Sequence, residues 1–154
     1  MTTHHKRHLA AAQDTLALGV ALARVMRPGM VIHLCGELGA GKTTLARGML
    51  RGLGWTGRVK SPTFTLVEPY LISSLYLYHF DFYRFDHADE WADTGFREYF
   101  NPTAICLVEW PEKAGENLSA PDIRIVLAIA GDGRDVEMVA YTEAGRDCIA
   151  RLQD

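Results

Sequence analysis

The chain has 154 residues, of which 48% are hydrophobic, so it can bury the core of one ordinary domain but leaves little room for a second. Its formal net charge of -3 argues against a protein that works mainly by neutralising nucleic-acid phosphates over a broad surface. There is no clean signal-peptide core and no apolar run of about 18 residues, so we expect a single cytoplasmic domain that does not contact membranes.

The first predicted elements are a polar terminus, a helix and a strand. Residues 1–8, which include three histidines, are expected to be solvated and disordered. Apolar residues then recur at helical spacing from about 12 to 26, which predicts an amphipathic helix that Pro28-Gly29 ends. The apolar run 30–35 is rich in β-forming residues and predicts a buried strand.

A second helix and a pair of strands follow in the middle of the chain. Residues 43–53 place apolar side chains on one helical face, and glycines close this helix. Strands are predicted at 65–70 and 75–82, with a turn at Ser73-Ser74 between them. Because strand 75–82 is mostly apolar on both faces, we expect it to lie inside the sheet.

The second half of the chain completes an α/β pattern. Its predicted elements are a short helix near 89–93, a strand at 104–108, a hairpin of strands 123–130 and 135–141, and a closing helix at 143–152. Three isolated cysteines, an odd number, indicate free thiols in a reducing compartment. Strands that alternate with helices predict a layered α/β fold, and the hairpins require a sheet of mixed strand direction.

A glycine-rich loop lies between the first predicted strand and the second helix. Residues 36–43 have the sequence Gly-Glu-Leu-Gly-Ala-Gly-Lys-Thr, which is the P-loop pattern. Gly36, Gly39 and Gly41 allow backbone conformations that side chains disfavour, so that successive N–H groups can converge on phosphate oxygens. The helix that follows directs the positive end of its dipole at the same anions. We therefore predict a P-loop NTPase-like three-layer fold with a mixed parallel and antiparallel central sheet.

Three side chains after the last glycine have expected roles in binding ATP with Mg²⁺. We expect Lys42 to reach the β- and γ-phosphates, the Thr43 hydroxyl to coordinate Mg²⁺ and Thr44 to contact the α-phosphate. The predicted nucleotide-binding loop consists of Gly36, Glu37, Leu38, Gly39, Ala40, Gly41, Lys42, Thr43 and Thr44.

Acidic residues end two of the predicted buried strands. A P-loop needs a carboxylate near its metal, and Asp81 and Glu109 both lie where a strand ends. One such acid alone could equally be a polar residue where a strand reaches the surface, but two of them favour functional use. A third segment, 60–64, has a hydroxyl residue on each side of a proline, and Thr63 in it could sense the γ-phosphate as switch loops do.

Other P-loop functions have weaker support. A small-molecule kinase would use the same loop to transfer the γ-phosphoryl group, but such enzymes usually carry an arginine-rich lid, and the sequence has no such cluster. A GTPase would need an Asn-Lys-x-Asp segment, which is absent. A nucleotide-gated binding module with incidental hydrolysis stays open. Since no arginine is obviously placed as an in-chain finger, we predict weak intrinsic turnover.

The sequence resembles the TsaE family, also called YjeE, of small bacterial ATPases needed to form threonylcarbamoyladenosine on tRNA. The resemblance is carried by four blocks in the family's order and spacing: 36–44, 60–68, 78–84 and 106–111. It implies a partner-dependent ATPase that works with TsaB and TsaD. In that scheme TsaD carries the transfer to adenosine 37 of tRNAs that read codons beginning with A, and tRNA meets this subunit only through the complex.

The resemblance also implies roles for individual residues. By matching position, Thr43 and Glu109 would hold Mg²⁺. Asp81 would be the acid required for hydrolysis, either by supporting the metal or by positioning water, and it would act with Lys42 and Thr63 of a switch-like loop. Two further residues would bind the nucleotide or report its binding: Trp110 and Arg134.

Overall fold

The computed structural model describes residues 4–152, in which seven strands form one sheet and four α-helices pack around it. The strands are β1 (His4–Leu9), β2 (Val31–Cys35), β3 (Val67–Ile72), β4 (Leu75–Asp81), β5 (Ala104–Glu109), β6 (Ile123–Ala130) and β7 (Gly133–Ala140). The helices are α1 (Ala12–Ala23), α2 (Lys42–Leu53), α3 (Glu90–Thr94) and α4 (Glu143–Leu152), with 3-10 helical segments at Phe96–Tyr99 and Pro111–Asn117.

The sheet has the strand order β1-β7-β6-β2-β5-β4-β3. Four adjacent strands, β6, β2, β5 and β4, run parallel, whereas β7, β1 and β3 run antiparallel to their neighbours. The predicted hairpin joins β6 to β7, and β4 lies inside the sheet as its apolar faces indicate. The prediction of an α/β fold with a mixed sheet is confirmed.

Two apolar clusters cover the two faces of the sheet and give three layers. Ile32 and Leu34 of β2 pack into a cluster with α1, α2 and α4, while Val31 packs into a second cluster with Trp91 of α3. The alternation follows from the two-residue period of a strand, which sends neighbouring side chains to opposite faces. Within the part of the chain that the structure describes, no helix combines the length and apolar character that crossing a membrane requires.

Helices α1 and α2 approach each other through glycines. A Cβ atom at Gly48 would lie 2.2 Å from the carbonyl oxygen of Leu16, and one at Gly19 would lie 2.5 Å from that of Leu45. Both distances are too short for a side chain, so the helices can pack this closely only where glycine is present. This contact fixes α2, and with it the loop from which α2 starts.

The N-terminal strand β1 corrects the prediction that residues 1–8 are disordered. Residues 1–3 lie outside the described part of the chain, but His4–Leu9 pair in antiparallel register with β7. A ring nitrogen of His8 lies 2.7 Å from Asp135, and His4 hydrogen-bonds Glu137. The prediction is therefore wrong for His4 to His8, because β7 has a free edge whose backbone groups the terminal strand satisfies.

Several predicted element boundaries also shift, among them the start of β7, which lies at Gly133 and not at residue 135. The helix predicted to reach residue 26 ends at Ala23, and the strand predicted at 65–70 begins at Val67 instead. Leu66 has a φ of 69°, a left-handed conformation that cannot belong to a strand. The chain therefore turns at Leu66 before it enters the sheet.

The three cysteines are free, as expected from their isolation in the sequence, and all three are buried. Burial raises the pKa of Cys106 to about 12 and that of Cys148 to about 11. Thiols with such values stay protonated at neutral pH and react slowly. They act as small apolar side chains of the core.

We expect His33 on β2 to make folding pH-dependent. Burial lowers the pKa of His33 from 6.5 to about 4; a hydrogen bond to the backbone of Ser119 opposes this shift, and the charge of Arg124 adds to it. Between these two values the unfolded chain binds a proton that the folded chain does not, so stability is lost as pH falls from about 6.5 to about 4. A shift of this size corresponds to at most about 3 kcal/mol.

Urea unfolding of wild type and His33→Gln at pH 7 and pH 4 measures this effect. The wild type should lose more free energy of unfolding than the variant over that interval. The same substitution at the exposed His87 is the control and should leave the pH dependence as in the wild type. Equal losses in wild type and His33→Gln would contradict the assignment.

Candidate functional site

The glycine loop joins the end of β2 to the start of α2. Gly36, Gly39 and Gly41 have φ angles of 147°, 82° and 106°, and a Cβ at Gly36 would lie 2.5 Å from the carbonyl oxygen of Leu127. Only glycine fits these conformations and this approach. Gly41 caps α2 without any side-chain hydrogen bond, so the first N–H groups of the helix point into the space that the loop encloses. Such a helix start favours an anion.

Lys42 provides a buried positive charge at this loop. Its Nζ donates a hydrogen bond to the carbonyl oxygen of Gly36 and lies 3.9 Å from the centroid of the Trp110 ring. Burial lowers the pKa of Lys42, while the charges of Glu109 and Asp81 act in the opposite direction. The ammonium group is thus held between the glycine loop, an aromatic ring and two acids.

The two predicted acids lie side by side at the ends of parallel strands. Asp81 on β4 and Glu109 on β5 are register partners, and only 6% and 4% of their surfaces are exposed. Oδ1 of Asp81 accepts a hydrogen bond of 2.9 Å from the backbone N–H of Tyr83. Burial raises the pKa of Asp81 despite this bond, and the charge of Glu109 raises it further, while His79 and Lys42 lower it.

His79 is a site residue that the sequence analysis missed. Its side chain is completely buried, and Nε2 lies 2.6 Å from Oε2 of Glu109. The signal for it was present, since His79 precedes Asp81 by two residues on one strand and therefore shares its face. A buried polar residue on the same strand face as a candidate site acid indicates a side chain that contacts the site.

The segment before β3 borders the same space. The hydroxyl oxygens of Ser61 and Thr63 lie 2.7 Å apart, and the backbone N–H of Leu66 donates to the carbonyl oxygen of Pro62. The backbone N–H of Asp81 in turn donates to the carbonyl oxygen of Leu66 at 3.0 Å. The Thr63 loop is therefore attached directly to the strand end that carries the first acid.

These elements enclose a cleft of about 270 Å³ that contains most of the predicted site residues. The cleft is lined by Leu38, Gly39, Gly41, Lys42, Thr43, Thr44, Thr63, Asp81, Glu109 and Trp110. Four predicted residues are not part of this lining: Gly36, Glu37, Ala40 and Arg134. Glu37 is exposed, and Ala40 is buried beneath the loop.

Arg134 lies beside the loop and hydrogen-bonds its backbone. Its Nε donates to the carbonyl oxygen of Ala40 and one terminal nitrogen donates to that of Gly39, both at 3.0 Å. Arg134 and Thr15 also line a neighbouring cleft of about 190 Å³, which shares Gly39, Gly41 and Thr44 with the first. The structure thus places Arg134 next to the loop, and its predicted contact with a nucleotide stays a prediction.

A larger cleft of about 480 Å³ lies elsewhere, over β1, β6 and β7. Its lining includes Lys6, Arg7 and Glu137 but none of the motif residues. It has neither a glycine loop nor a helix start to bind a phosphate. Chemistry rather than size therefore identifies the smaller cleft as the candidate site.

The cleft offers oxygen ligands that suit Mg²⁺. The Thr43 hydroxyl and the carboxylates of Asp81 and Glu109 are hard donors of the kind this ion prefers. No group of three His, Cys, Asp or Glu side chains within residues 4–152 could hold a metal by itself. Mg²⁺ is usually bound through one or two carboxylates together with substrate phosphates, and the donors present here fit that pattern.

Comparisons with known proteins identify a family for this chain. The family described as threonylcarbamoyl adenosine biosynthesis protein TsaE matches residues 9–136. A Haemophilus influenzae protein named tRNA threonylcarbamoyladenosine biosynthesis protein TsaE is 47% identical over 125 residues, which cover 81% of this chain and 79% of the relative. A Bacillus subtilis protein of the same name is 42% identical over 133 residues, which cover 86% of this chain and 82% of the relative.

A solved structure shares the complete fold. The crystal structure of Bacillus subtilis YdiB matches with a TM-score of 0.85 and 34% sequence identity, over 99% of this chain and 96% of that one. The two proteins therefore share their overall architecture. Taken with the family match over residues 9–136, this establishes that the chain belongs to the TsaE family.

Proposed function

We propose that the protein binds ATP with Mg²⁺ in the glycine-loop cleft and hydrolyses it slowly, in support of threonylcarbamoyladenosine formation on tRNA. The observation that carries this proposal is the convergence of the glycine loop, Lys42, Thr43, Asp81 and Glu109 on one cleft. The names of the relatives supply the pathway. The proposed partners are TsaB and TsaD, and tRNA is reached only through that complex.

The residues of the cleft divide into binding and reacting groups. The loop amides and Lys42 hold the phosphates, and Thr43 and Glu109 hold Mg²⁺. When bound, the metal neutralises phosphate charge and polarises the bond to be broken. Asp81 positions the attacking water and accepts its proton, a role that suits a carboxylate whose pKa is raised by burial.

The expected slow turnover in isolation rests on the lack of an arginine in the described cleft lining. Among the described residues that line the cleft, none is an arginine. Phosphoryl transfer develops charge in its transition state. An arginine finger, supplied in cis or by a partner, normally stabilises this charge and raises the hydrolysis rate by a factor on the order of 10³ to 10⁵. We therefore propose that the TsaB–TsaD complex is needed for faster hydrolysis.

Phosphate release from ATP tests this function. We expect release on the order of 10⁻³ per second by the protein alone, similar to unassisted P-loop proteins, and at least about tenfold faster release with TsaB and TsaD. Addition of EDTA should stop it. Fast release without partners would contradict the proposed dependence on TsaB and TsaD. Transfer of the γ-phosphoryl group to a small acceptor would contradict the proposal and favour a kinase.

A further inference from the structure

His79 is an unusual residue to find in the interior of a sheet. None of its side chain is exposed, and its Nδ1 has no hydrogen-bond partner among the described residues. An imidazole buried with one unsatisfied nitrogen destabilises the folded state relative to an apolar side chain. Core packing alone does not account for a histidine at this position.

Among residues 4–152, the one hydrogen bond of the His79 ring is directed at the candidate site. Its Nε2 lies 2.6 Å from Oε2 of Glu109. In the parallel register, His79 is opposite Leu107 and Asp81 is opposite Glu109, so the ring reaches diagonally along β5 to the carboxylate at its end. The bond engages one oxygen of Glu109 and restricts rotation of the carboxylate.

We propose that His79 is a positioning residue for Glu109: its Nε2–H donates to Oε2 and orients the carboxylate so that it can serve Mg²⁺. The inference rests on the proposed function of the cleft, since it assumes that Glu109 is a metal ligand. Carboxylates that bind metals are commonly held by such outer hydrogen bonds, and loss of one typically costs about 10- to 100-fold in metal affinity or activity. His79 itself contacts neither metal nor nucleotide in this arrangement.

Two substitutions separate positioning from packing. His79→Leu keeps an apolar side chain of comparable size but removes the donor, whereas His79→Gln keeps an N–H that can reach Oε2. Binding of a non-hydrolysable ATP analogue is measured by calorimetry, once with Mg²⁺ and once with EDTA. The ratio of the two affinities is the gain due to the metal.

We expect His79→Leu to reduce this gain about 10- to 100-fold, while its affinity in EDTA stays within about twofold of the wild type. His79→Gln should recover most of the gain. In a Glu109→Gln background, His79→Leu should have no further effect on the gain, because His79 acts through that carboxylate. If His79→Leu does not fold, His79→Asn replaces it, since its amide is too short to reach Oε2 and should lose the gain in the same way.

Two results would overturn the inference. An undiminished gain in His79→Leu would show that the ring only fills space. The same conclusion would follow if His79→Leu lowered the gain as much in the Glu109→Gln background as it does in the wild type. Failure of the proposed function has a different signature, because the wild type itself would then show no affinity for the analogue with or without Mg²⁺.

Discussion

Replacement of Lys42 by alanine is expected to abolish tight ATP binding. Lys42 is the buried cation of the cleft, held between the carbonyl oxygen of Gly36 and the ring of Trp110. Removal of one partner of a desolvated charge pair costs about 2 to 5 kcal/mol, which raises Kd by about 30-fold or more. The loop amides alone should not replace this charge, since they carry only partial dipoles.

Titration calorimetry with ATP and Mg²⁺ measures the effect of this substitution. Lys113→Ala removes the same charge outside the cleft lining, where Lys113 lies 5.8 Å from the ring of Tyr83, and serves as the matched control. The control should bind with nearly wild-type affinity. Unchanged affinity in Lys42→Ala would show that Lys42 does not contact the phosphates.

Replacement of Asp81 by asparagine should leave binding intact but stop hydrolysis. Asparagine has nearly the same shape and keeps an oxygen that can accept the Tyr83 N–H, so the strand end should stay in place. It cannot take a proton from water. Loss of a general base typically lowers the rate by about 10²- to 10⁴-fold.

Single-turnover phosphate release, compared with nucleotide affinity, separates the two effects. Asp86→Asn is a matched control at an exposed position on the same segment and should hydrolyse ATP at the wild-type rate. Because burial raises the pKa of Asp81, wild-type hydrolysis should also increase as pH rises through that pKa. Normal turnover by Asp81→Asn would remove Asp81 from the mechanism.

Local sequence patterns predicted the elements on which the site is built. The β2–loop–α2 unit has signals that depend only on neighbouring residues, namely a β-rich apolar run, glycines at fixed spacing and a helical face. The positive φ angles of Gly39 and Gly41 explain why glycine occurs there. The β6–β7 hairpin could be predicted in the same way, because its turn sequence lies between two apolar runs.

The remaining features depend on which distant segments meet. Strand β1 could not be predicted from its polar sequence, because its reason for being a strand is the free edge of β7. The contact between His79 and Glu109 depends on β4 and β5 becoming parallel neighbours. A single sequence records the residues of such a pair but not the strand order that joins them.

The hydrogen bonds of Arg134 to Ala40 and Gly39 have a consequence for synthesis of the protein on the ribosome. They join an early loop to a hairpin 94 and 95 residues later. When α2 has only just emerged from the ribosome, the nascent chain lacks both these hydrogen bonds and the strands β5 and β6 that flank β2. The loop can therefore make these contacts only after nearly the whole polypeptide has emerged, and the proposed nucleotide binding would then have to wait until translation is almost complete.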